Sequence, residues 1–217
     1  NPSSLVGMGA TEPGTAVISL GTSDTYFAAM QEPRTDPNGY GHVFGNPAGG
    51  YMSLICFQNG SLAREAVAKE HSLDWDAFAD AILNRTQPGN EGNMLLYYFT
   101  PEVTPRILKP TVRYAGTEAF VNGQDANSAA RAIVESQALS MQLHTGWISD
   151  KPSRILVTGG ASRNPAIRQV LADVFQAEIL SLTVNNSAGL GAALRAAFGN
   201  GEVKRGIICL RARPLVS

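Results

Sequence analysis

The strongest constraint on the fold is a repeated alternation of strand-like and helix-like segments over residues 154–199. The segment RILVTGG is followed by NPAIRQVLADVF, then by AEILSL, and then by NSAGLGAALRAAFG. Short apolar runs separated by segments of helix length predict a βαβα unit. Asn164 and Pro165 stand in the order that caps and starts a helix, and Ser187 is the predicted cap of the last helix. The predicted buried positions of the first of these helices are Ile167, Val170, Leu171 and Val174.

Apolar runs in the first quarter of the chain predict a second, different pattern. Two runs within residues 15–30 surround the polar stretch LGTSDT, and YMSLICF at residues 51–57 forms a third run. Runs of this length that are rich in β-branched and aromatic residues predict strands, here an antiparallel meander. A further strand is predicted at residues 94–99, inside a surface excursion rich in Pro, Gly and Asn. A meander, then helices, then βαβα predicts an α/β fold, with a mixed β-sheet flanked by helices.

Three helices are predicted between the meander and the βαβα unit. The first follows Asn59 or Ser61, either of which can cap it, and the second is the short segment LDWDAFADAIL. Both have the pattern of ordinary packing helices. The third is long, begins at Asn127 or Ser128, and carries an apolar stripe that faces the core. The predicted buried positions are Leu62, Ala66 and Val67 in the first helix, and Ala130, Val134, Ala138, Met141 and Ile148 in or after the third.

Composition excludes several classes of function. The 217 residues carry a formal net charge of −1, with 44% apolar and 16% charged residues, which suits one large or two small globular domains. Because there is no basic or acidic block, neither nucleic acid nor a membrane surface is a predicted partner. Two cysteines and three scattered histidines indicate no disulfide framework and no structural zinc. No stretch resembles a membrane span or a signal peptide, so a soluble, cytoplasmic protein is predicted.

The loop LGTSDT is the first candidate for chemistry. Gly21 allows a ligand to approach the backbone closely, while Thr22, Ser23 and Thr25 place hydroxyl groups beside exposed amides. Such a concavity suits the terminal phosphates of a nucleotide, and Asp24 could orient a hydrated cation. Small polar residues are also the usual residues of a turn, so an ordinary turn is the competing interpretation.

The loop LVTGGASRNP is the second candidate. A buried strand ends at Gly159 and Gly160, and a helix that Asn164 caps follows shortly after. The strand end therefore offers a ledge without side chains beside a helix N-terminus, on which an adenine and its ribose could lie. The loop is neither a dinucleotide fingerprint nor a Walker loop, because both spacings are absent. Here too a tight turn between strand and helix is the alternative.

Together, the two loops match a known arrangement. A phosphate hairpin followed by a glycine-pair ledge is typical of the actin-like, ribonuclease-H-like ATPase superfamily. The blocks ISLGTSDTYFAAMQEP, GHVFGNP, YMSLICFQNGSLARE, ILVTGGASRNPAIRQVLADVFQAEI and NSAGLGAALRA carry a closer likeness. In order and spacing they resemble the C-terminal domain of the FGGY carbohydrate kinase family, in its branch that acts on D-xylulose. The resemblance implies one nucleotide-binding domain over residues 1–201, followed by a tail at 202–217 of unassigned structure.

The resemblance also implies an activity and a set of ligands. Two actin-like domains of such kinases close over ATP and a sugar, and catalysis rests on positioning and on neutralisation of charge. The implied reaction is phosphorylation of D-xylulose to D-xylulose 5-phosphate with ATP and Mg²⁺. The implied nucleotide-binding residues are Gly21, Thr22 and Ser23 for the β- and γ-phosphates with their magnesium, and Gly159, Gly160, Ala161 and Asn164 for the adenosine.

The catalytic base implied by the resemblance is an aspartate in a Gly-Asp-Asn segment, and Asn1 resembles the last residue of that segment. The base is then expected directly upstream of Asn1, and most sugar contacts are expected in an N-terminal domain outside this sequence. No catalytic residue and no protein ligand to the metal is assigned within the chain. The chain alone is therefore expected to be an inactive fragment, and a homodimer is left open.

Three alternatives stay open at this point, one of which is a purely structural dimerisation domain without a ligand. The two nucleotide loops recur throughout the family and do not choose the substrate, so ribulose, gluconate or glycerol could replace xylulose. An actin-like module without catalysis would use the same loops to hold a nucleotide as a conformational switch. A carboxylate directly before Asn1 would favour the kinase over the switch.

Overall fold

A mixed six-stranded sheet forms the centre of the protein, in a computed structural model that describes residues 1–148, 151–181 and 186–201. Two further strands pair with each other as a separate hairpin. The strands are β1 (Thr15–Leu20), β2 (Asp24–Met30), β3 (His42–Gly45), β4 (Tyr51–Phe57), β5 (Met94–Tyr98), β6 (Thr111–Ala115), β7 (Arg154–Thr158) and β8 (Glu178–Ser181). The helices are α1 (Pro2–Gly7), α2 (Ser61–Glu70), α3 (Trp75–Asp80), α4 (Glu118–Val121), α5 (Ala126–Thr145), α6 (Pro165–Phe175) and α7 (Ser187–Gly199).

The strand order of the sheet confirms the predicted α/β class. The order is β3-β4-β2-β1-β7-β8, in which β1 pairs in parallel with β7, and β7 in parallel with β8. The strands β1, β2, β4 and β3 pair antiparallel, as a meander does. The edge strand β3 was not predicted, because it is only four residues long and lacks a buried face. The strand β5 lies at the predicted position inside the surface excursion, and its partner β6, which directly follows that excursion, was not predicted.

Side chains along each strand point alternately to the two faces of the sheet, and this divides the core into two layers. Ile18 and Tyr26 point to the larger layer, which α2, α5 and α6 cover with their apolar faces. Their neighbours Val17 and Phe27 point to the opposite face, where they pack with Leu5 of α1 and with Met8, which follows α1. Successive side chains of a strand face opposite sides of the sheet. Because both sets of side chains lie in a core layer, both faces of the sheet are buried.

Two glycines allow the helices α1 and α7 to cross in close contact. A Cβ atom on Gly7 would overlap the carbonyl oxygen of Ser187, and one on Gly191 would overlap the carbonyl oxygen of Ser3. The Ser187 hydroxyl donates to the Ser4 hydroxyl across the same crossing, at 3.3 Å. The backbones touch only because neither glycine carries a side chain.

The helix starts differ from the prediction at three places. The cap of α2 is Gly60, because the Asn59 side chain bonds elsewhere and Ser61 is already helical. The Asn186 side chain caps α7, one residue before the predicted cap, and α5 begins at Ala126, one or two residues before its predicted start, with the Asp125 side chain as its cap. A cap can lie one residue either way without a change in the apolar pattern, which explains these errors.

The predicted cap of α6 is confirmed, since the Asn164 side chain accepts from the amides of Ala166 at 2.9 Å and Ile167 at 3.3 Å. The stripe of α5 is buried as predicted, although α5 ends before Ile148. In α2 the apolar face is displaced by one position, because Leu62 is exposed while Ala63 is buried. The predicted tail at 202–217 lies outside the described residues. Among the helices of the described segments, none has both the length and the hydropathy that a bilayer crossing requires.

Candidate functional site

A cleft of about 710 Å³ opens where β1 and β7 end. Because these strands are parallel neighbours, the loops that follow them leave the same edge of the sheet. One wall consists of the β1–β2 hairpin and the β7–α6 loop, and the other of residues from α2 and α3. Brought together in this cleft are the predicted residues Gly21, Thr22, Gly160, Ala161 and Asn164.

The other two predicted residues lie in the same loops, outside the lining of the cleft. Ser23 ends the turn between β1 and β2, one residue after Thr22. Gly159 has a φ of +93°, and a Cβ atom there would overlap the carbonyl oxygen of Leu20. Gly159 therefore allows β1 and the β7–α6 loop to approach each other, whereas Gly160 would place a Cβ atom in open space.

The N-terminus of α2 is held directly against the β1–β2 hairpin. The Ser61 amide donates to the Gly21 carbonyl at 2.8 Å, and the Gly60 amide donates to the Thr22 carbonyl at 3.2 Å. A Cβ atom on Gly60 would lie 2.7 Å from both of those carbonyl oxygens, so only glycine fits. The positive end of the α2 dipole thus lies beside Gly21 and Thr22, which favours an anion at this end of the cleft.

A buried ion pair lies beneath the hairpin. Arg64 of α2 donates to both carboxylate oxygens of Asp24, at 2.7 and 3.1 Å, and to Gln137 of α5 at 2.7 Å. Both charged side chains are almost fully buried. Burial raises the pKa of the Asp24 carboxyl, while the Arg64 guanidinium opposes that rise. The Asp24 carboxylate is occupied by a guanidinium, so Asp24 is placed to hold the hairpin rather than to orient a cation.

Glu102 supports the same region from the segment predicted as a surface excursion. Its buried carboxylate accepts from the amides of Gln58 at 2.6 Å and Asn59 at 2.9 Å, just before α2. It also accepts from the Asn59 side chain at 2.9 Å. The Gln137 side chain donates to the carbonyl of Asn59 at 2.8 Å, which completes the support. These contacts set the position of the α2 N-terminus, and no local pattern around Glu102 indicates them.

Asn1 lies beside the hairpin. The Thr25 hydroxyl contacts the Asn1 side-chain oxygen at 3.5 Å, next to the ion pair of Asp24. Thr25 itself pairs with Cys56 in β4. The hydroxyl of Thr25 is therefore directed toward the start of the chain, away from the lining of the cleft.

Residues of the helices α2 and α3 complete the cleft, although these helices were predicted to serve packing alone. Ser61, Glu65, Trp75 and Asp76 all line it. Trp75 is 47% exposed although it is a large aromatic residue. The exposure of Trp75 is the one signal here that indicates a site. Because exposure cannot be read from a sequence, the sequence could not provide this signal. In the described ranges, no group of three or more His, Cys, Asp or Glu side chains could hold a metal ion.

This chain is similar to known proteins in sequence and in fold. A model for the C-terminal domain of the FGGY family of carbohydrate kinases matches residues 16–199. The xylulose kinase of Rattus norvegicus is 42% identical in an alignment of 205 positions that covers 92% of this chain and 37% of that protein. Xylulose kinase 2 of Arabidopsis thaliana is 37% identical in an alignment of 215 positions that covers 92% of this chain and 38% of that protein. The chain therefore spans less than two fifths of the length of these relatives.

Solved structures of similar fold include sugar kinases. The xylulose kinase from Bifidobacterium adolescentis superposes with a TM-score of 0.80 at 27% identity, over 99% of this chain and 40% of that one. The Plasmodium falciparum glycerol kinase with ADP superposes with a TM-score of 0.82, over 98% of this chain and 44% of that one. Its 13% identity shows a common fold alone.

Proposed function

The chain belongs to the FGGY family of carbohydrate kinases, and we propose that it is the nucleotide-binding domain of a kinase that acts on D-xylulose. The proposed reaction transfers the γ-phosphoryl group of ATP to the sugar and yields D-xylulose 5-phosphate. One observation carries the nucleotide part of the proposal, namely that the hairpin and the glycine-pair loop line one cleft of about 710 Å³. This volume lies in the usual range of small-molecule sites, which is roughly 300–1,000 Å³.

The phosphate end of the site is proposed at the hairpin. The amides and hydroxyls of Gly21 and Thr22, which line the cleft, and of Ser23 next to them would hold the β- and γ-phosphates, and the α2 dipole favours their negative charge. Magnesium in such sites is usually held by the phosphates and water, with one or two carboxylates. Glu65 and Asp76 are the carboxylate side chains in the cleft lining that would serve this role. When bound, the ion would neutralise charge that develops on the transferred phosphoryl group.

The adenosine end is proposed at the β7–α6 loop. The open space above Gly160 leaves a ledge for a flat base, with Ala161 beside it. The side-chain oxygen of Asn164 already caps α6. Its side-chain nitrogen, Nδ2, would therefore make the contact with the ligand. Gly159 would contribute indirectly, because it allows the loop to approach β1.

The catalytic base is proposed to precede Asn1 in the longer protein, where it would accept the proton of the attacking sugar hydroxyl. The contact of Asn1 with Thr25 at 3.5 Å supports this proposal, because it brings that part of the chain close to the hairpin. The proposed domain covers residues 1–201, and most contacts with the sugar would come from an N-terminal domain. We expect this chain alone to bind ADP or ATP without phosphorylating a sugar.

An activity assay on the protein extended through the N-terminal domain tests the proposed function. We expect ATP-dependent phosphorylation of D-xylulose, and much slower turnover with ribulose, gluconate and glycerol. If the protein phosphorylated only one of those other compounds, the proposed substrate would be wrong, and the proposed kinase activity would stand. Nucleotide binding without phosphorylation of any sugar in the panel would instead favour a nucleotide-dependent switch.

Substitution of Gly160 by valine tests the position of the adenosine. A valine side chain there would project into the cleft, because a Cβ atom on Gly160 meets no atom within 4 Å. We expect ADP to bind about tenfold or more weakly, with little change in melting temperature. Isothermal titration calorimetry measures the affinity.

The neighbouring glycine provides the matched control for that substitution. Gly159→Ala introduces a Cβ atom at a φ of +93° that overlaps the Leu20 carbonyl oxygen. We therefore expect a lower melting temperature for Gly159→Ala and an unchanged one for Gly160→Val. Unchanged ADP affinity in Gly160→Val would place the adenosine elsewhere.

A further inference from the structure

A second cavity, of about 270 Å³, lies at the end of the parallel strands β1 and β7 that is opposite to the proposed nucleotide cleft. Its walls include Thr145 at the end of α5, Phe175 at the end of α6, and Pro152, which lies shortly before β7. No described residue that lines the nucleotide cleft also lines this cavity. The cavity is therefore a separate feature of the fold, formed where α5 and α6 end.

The strand β2 contributes Tyr26 to this cavity, and Tyr26 is almost completely buried. It is 2% exposed, and its ring stacks on Phe175 with the centroids 6.1 Å apart and the planes at 15°. Within the described segments, the Tyr26 hydroxyl has no hydrogen-bond partner. The unpartnered side-chain atoms that are closed off from solvent there belong to other residues, so the hydroxyl faces the cavity.

A buried tyrosine hydroxyl is normally hydrogen-bonded. Burial raises the pKa of Tyr26, so the phenol stays protonated and can donate as well as accept. The unpaired hydroxyl of Tyr26 therefore indicates that the cavity receives a ligand with a polar group.

The rest of the lining combines apolar surface with a positive charge. Ile148, Pro152 and Phe175 supply the apolar surface. Among the lining residues that the structure describes, Lys151 is the one with a charged side chain, and it is exposed. Water could pair with the Tyr26 hydroxyl, but it would leave the apolar walls hydrated. A ligand with an apolar body and a negative charge suits this lining better.

We propose that this cavity binds a small aromatic carboxylate, whose ring packs against Phe175 and Ile148 while its carboxylate approaches Lys151. A polar substituent on the ring would form a hydrogen bond with the Tyr26 hydroxyl. A flat ring suits the wall that the stacked rings of Tyr26 and Phe175 form, because aromatic rings gain from offset and edge contacts. The volume is just below the usual range of small-molecule sites, roughly 300–1,000 Å³, which limits the ligand to a single ring with short substituents.

The test titrates the isotope-labelled chain with para-hydroxyphenylacetate, which has a ring, a carboxylate and a hydroxyl. We expect a dissociation constant of about 1 mM or less. We also expect NMR shifts at the amides of Thr145 and Gly146, and none at Gly21 or Gly160. Phenylacetate lacks the hydroxyl and para-hydroxyphenylacetamide lacks the charge, so each should bind about three- to tenfold more weakly.

Two substitutions match these two ligands. Tyr26→Phe is expected to lower the affinity for para-hydroxyphenylacetate to that for phenylacetate and to leave phenylacetate binding unchanged, because it removes the hydroxyl alone. Lys151→Met is expected to abolish the preference for the carboxylate over the amide. The control is Lys69→Met, which removes another exposed lysine, on α2 and outside the cavity lining, and should change neither affinity.

The melting temperature of Tyr26→Phe without ligand tests the premise separately. Loss of an unpaired buried hydroxyl costs no hydrogen bond, so we expect this temperature to stay the same or to rise. A lower melting temperature would show that the hydroxyl has a partner inside the protein, and would overturn the inference.

Three results of the titrations would overturn the inference as well. The first is the lack of binding of para-hydroxyphenylacetate up to about 10 mM. The second is equal affinity in Tyr26→Phe and the parent chain, because the hydroxyl would then take no part. The third is a set of NMR shifts at Gly21 and Gly160 without shifts at Thr145, which would place the ligand in the nucleotide cleft. The proposed nucleotide site stands or falls separately, because its own tests use ADP and other variants.

Discussion

Replacement of Arg64 by leucine is expected to lower the free energy of unfolding by about 3–5 kcal/mol at pH 7. The substitution removes the partner of a fully buried carboxylate, since Arg64 donates two hydrogen bonds to Asp24 and one to Gln137. Burial of an unpaired charge costs far more than loss of a surface ion pair. In a chain of this size the melting temperature should fall by roughly 10 °C, which a thermal melt by circular dichroism measures.

The double variant Arg64→Leu with Asp24→Asn is the control for this effect. Because it removes both charges, its loss should be clearly smaller than the sum of the two single losses. An additive double variant would show that the ion pair contributes nothing beyond its separate side chains. Single and double variants can be measured side by side in urea.

The stability deficit of Arg64→Leu should also depend on pH. Burial already raises the pKa of the Asp24 carboxyl, and loss of the guanidinium removes the charge that opposes this rise. A carboxyl whose folded pKa is raised contributes stability that is present below its unfolded pKa of about 3.9 and is lost as pH increases through the folded value. The difference between parent and variant should therefore be smaller at pH 4 than at pH 7. A deficit that grew on acidification would contradict this account.

Replacement of Gly191 by alanine is expected to destabilise the protein by about 3 kcal/mol, at the upper end of what overpacking costs. The new Cβ atom would overlap the carbonyl oxygen of Ser3 and lie 2.7 Å from the Ser3 carbonyl carbon and 2.8 Å from the Gly7 amide nitrogen, both backbone atoms of α1. Backbone atoms cannot rotate away as a side chain does, so α1 and α7 must separate. That separation would expose the smaller core layer around Leu5 and Met8. Urea unfolding at equilibrium measures the loss.

The helix α7 contains its own control for this substitution. A Cβ atom on Gly199 meets nothing within 4 Å, and Gly199 lies at the last position of α7. Gly199→Ala should therefore leave stability unchanged or raise it by up to about 1 kcal/mol through helix propensity. The pair of variants separates a steric effect from a general effect of alanine in this helix. Equal stability of Gly191→Ala and the parent chain would show that the crossing is not closely packed in solution.

The two stability variants also bear on the site. Arg64 joins α2 to the hairpin through Asp24, and α2 in turn contacts the hairpin carbonyls with the amides of Gly60 and Ser61. A disturbed ion pair should therefore shift the proposed phosphate end of the cleft, whereas the α1–α7 crossing lies on the opposite face of the sheet. We expect ADP affinity to fall in Arg64→Leu and to change little in Gly191→Ala under conditions where both are folded.

Local sequence patterns predicted much of the fold. The strands β1, β2 and β4 and the βαβα unit follow from apolar periodicity, which depends on residues only a few positions apart. The cap of α6 at Asn164 follows from its position before a proline. The same pattern failed at β3, which is short and exposed, and it misplaced the caps of α2, α5 and α7, where a shift of one or two residues leaves the periodicity intact.

Local residue patterns therefore indicated which segments form strands and which form helices, and where the two glycine-containing loops lie. They also indicated the resemblance to a kinase family. Their meeting in one cleft depended on the parallel pairing of β1 with β7, a contact between distant parts of the chain that no local periodicity encodes. The same holds for the burial of Asp24 against Arg64 and for the exposure of Trp75. Whether a charged or aromatic side chain is paired, covered or open is a property of its neighbours in space, and those neighbours are known only once the chain has folded.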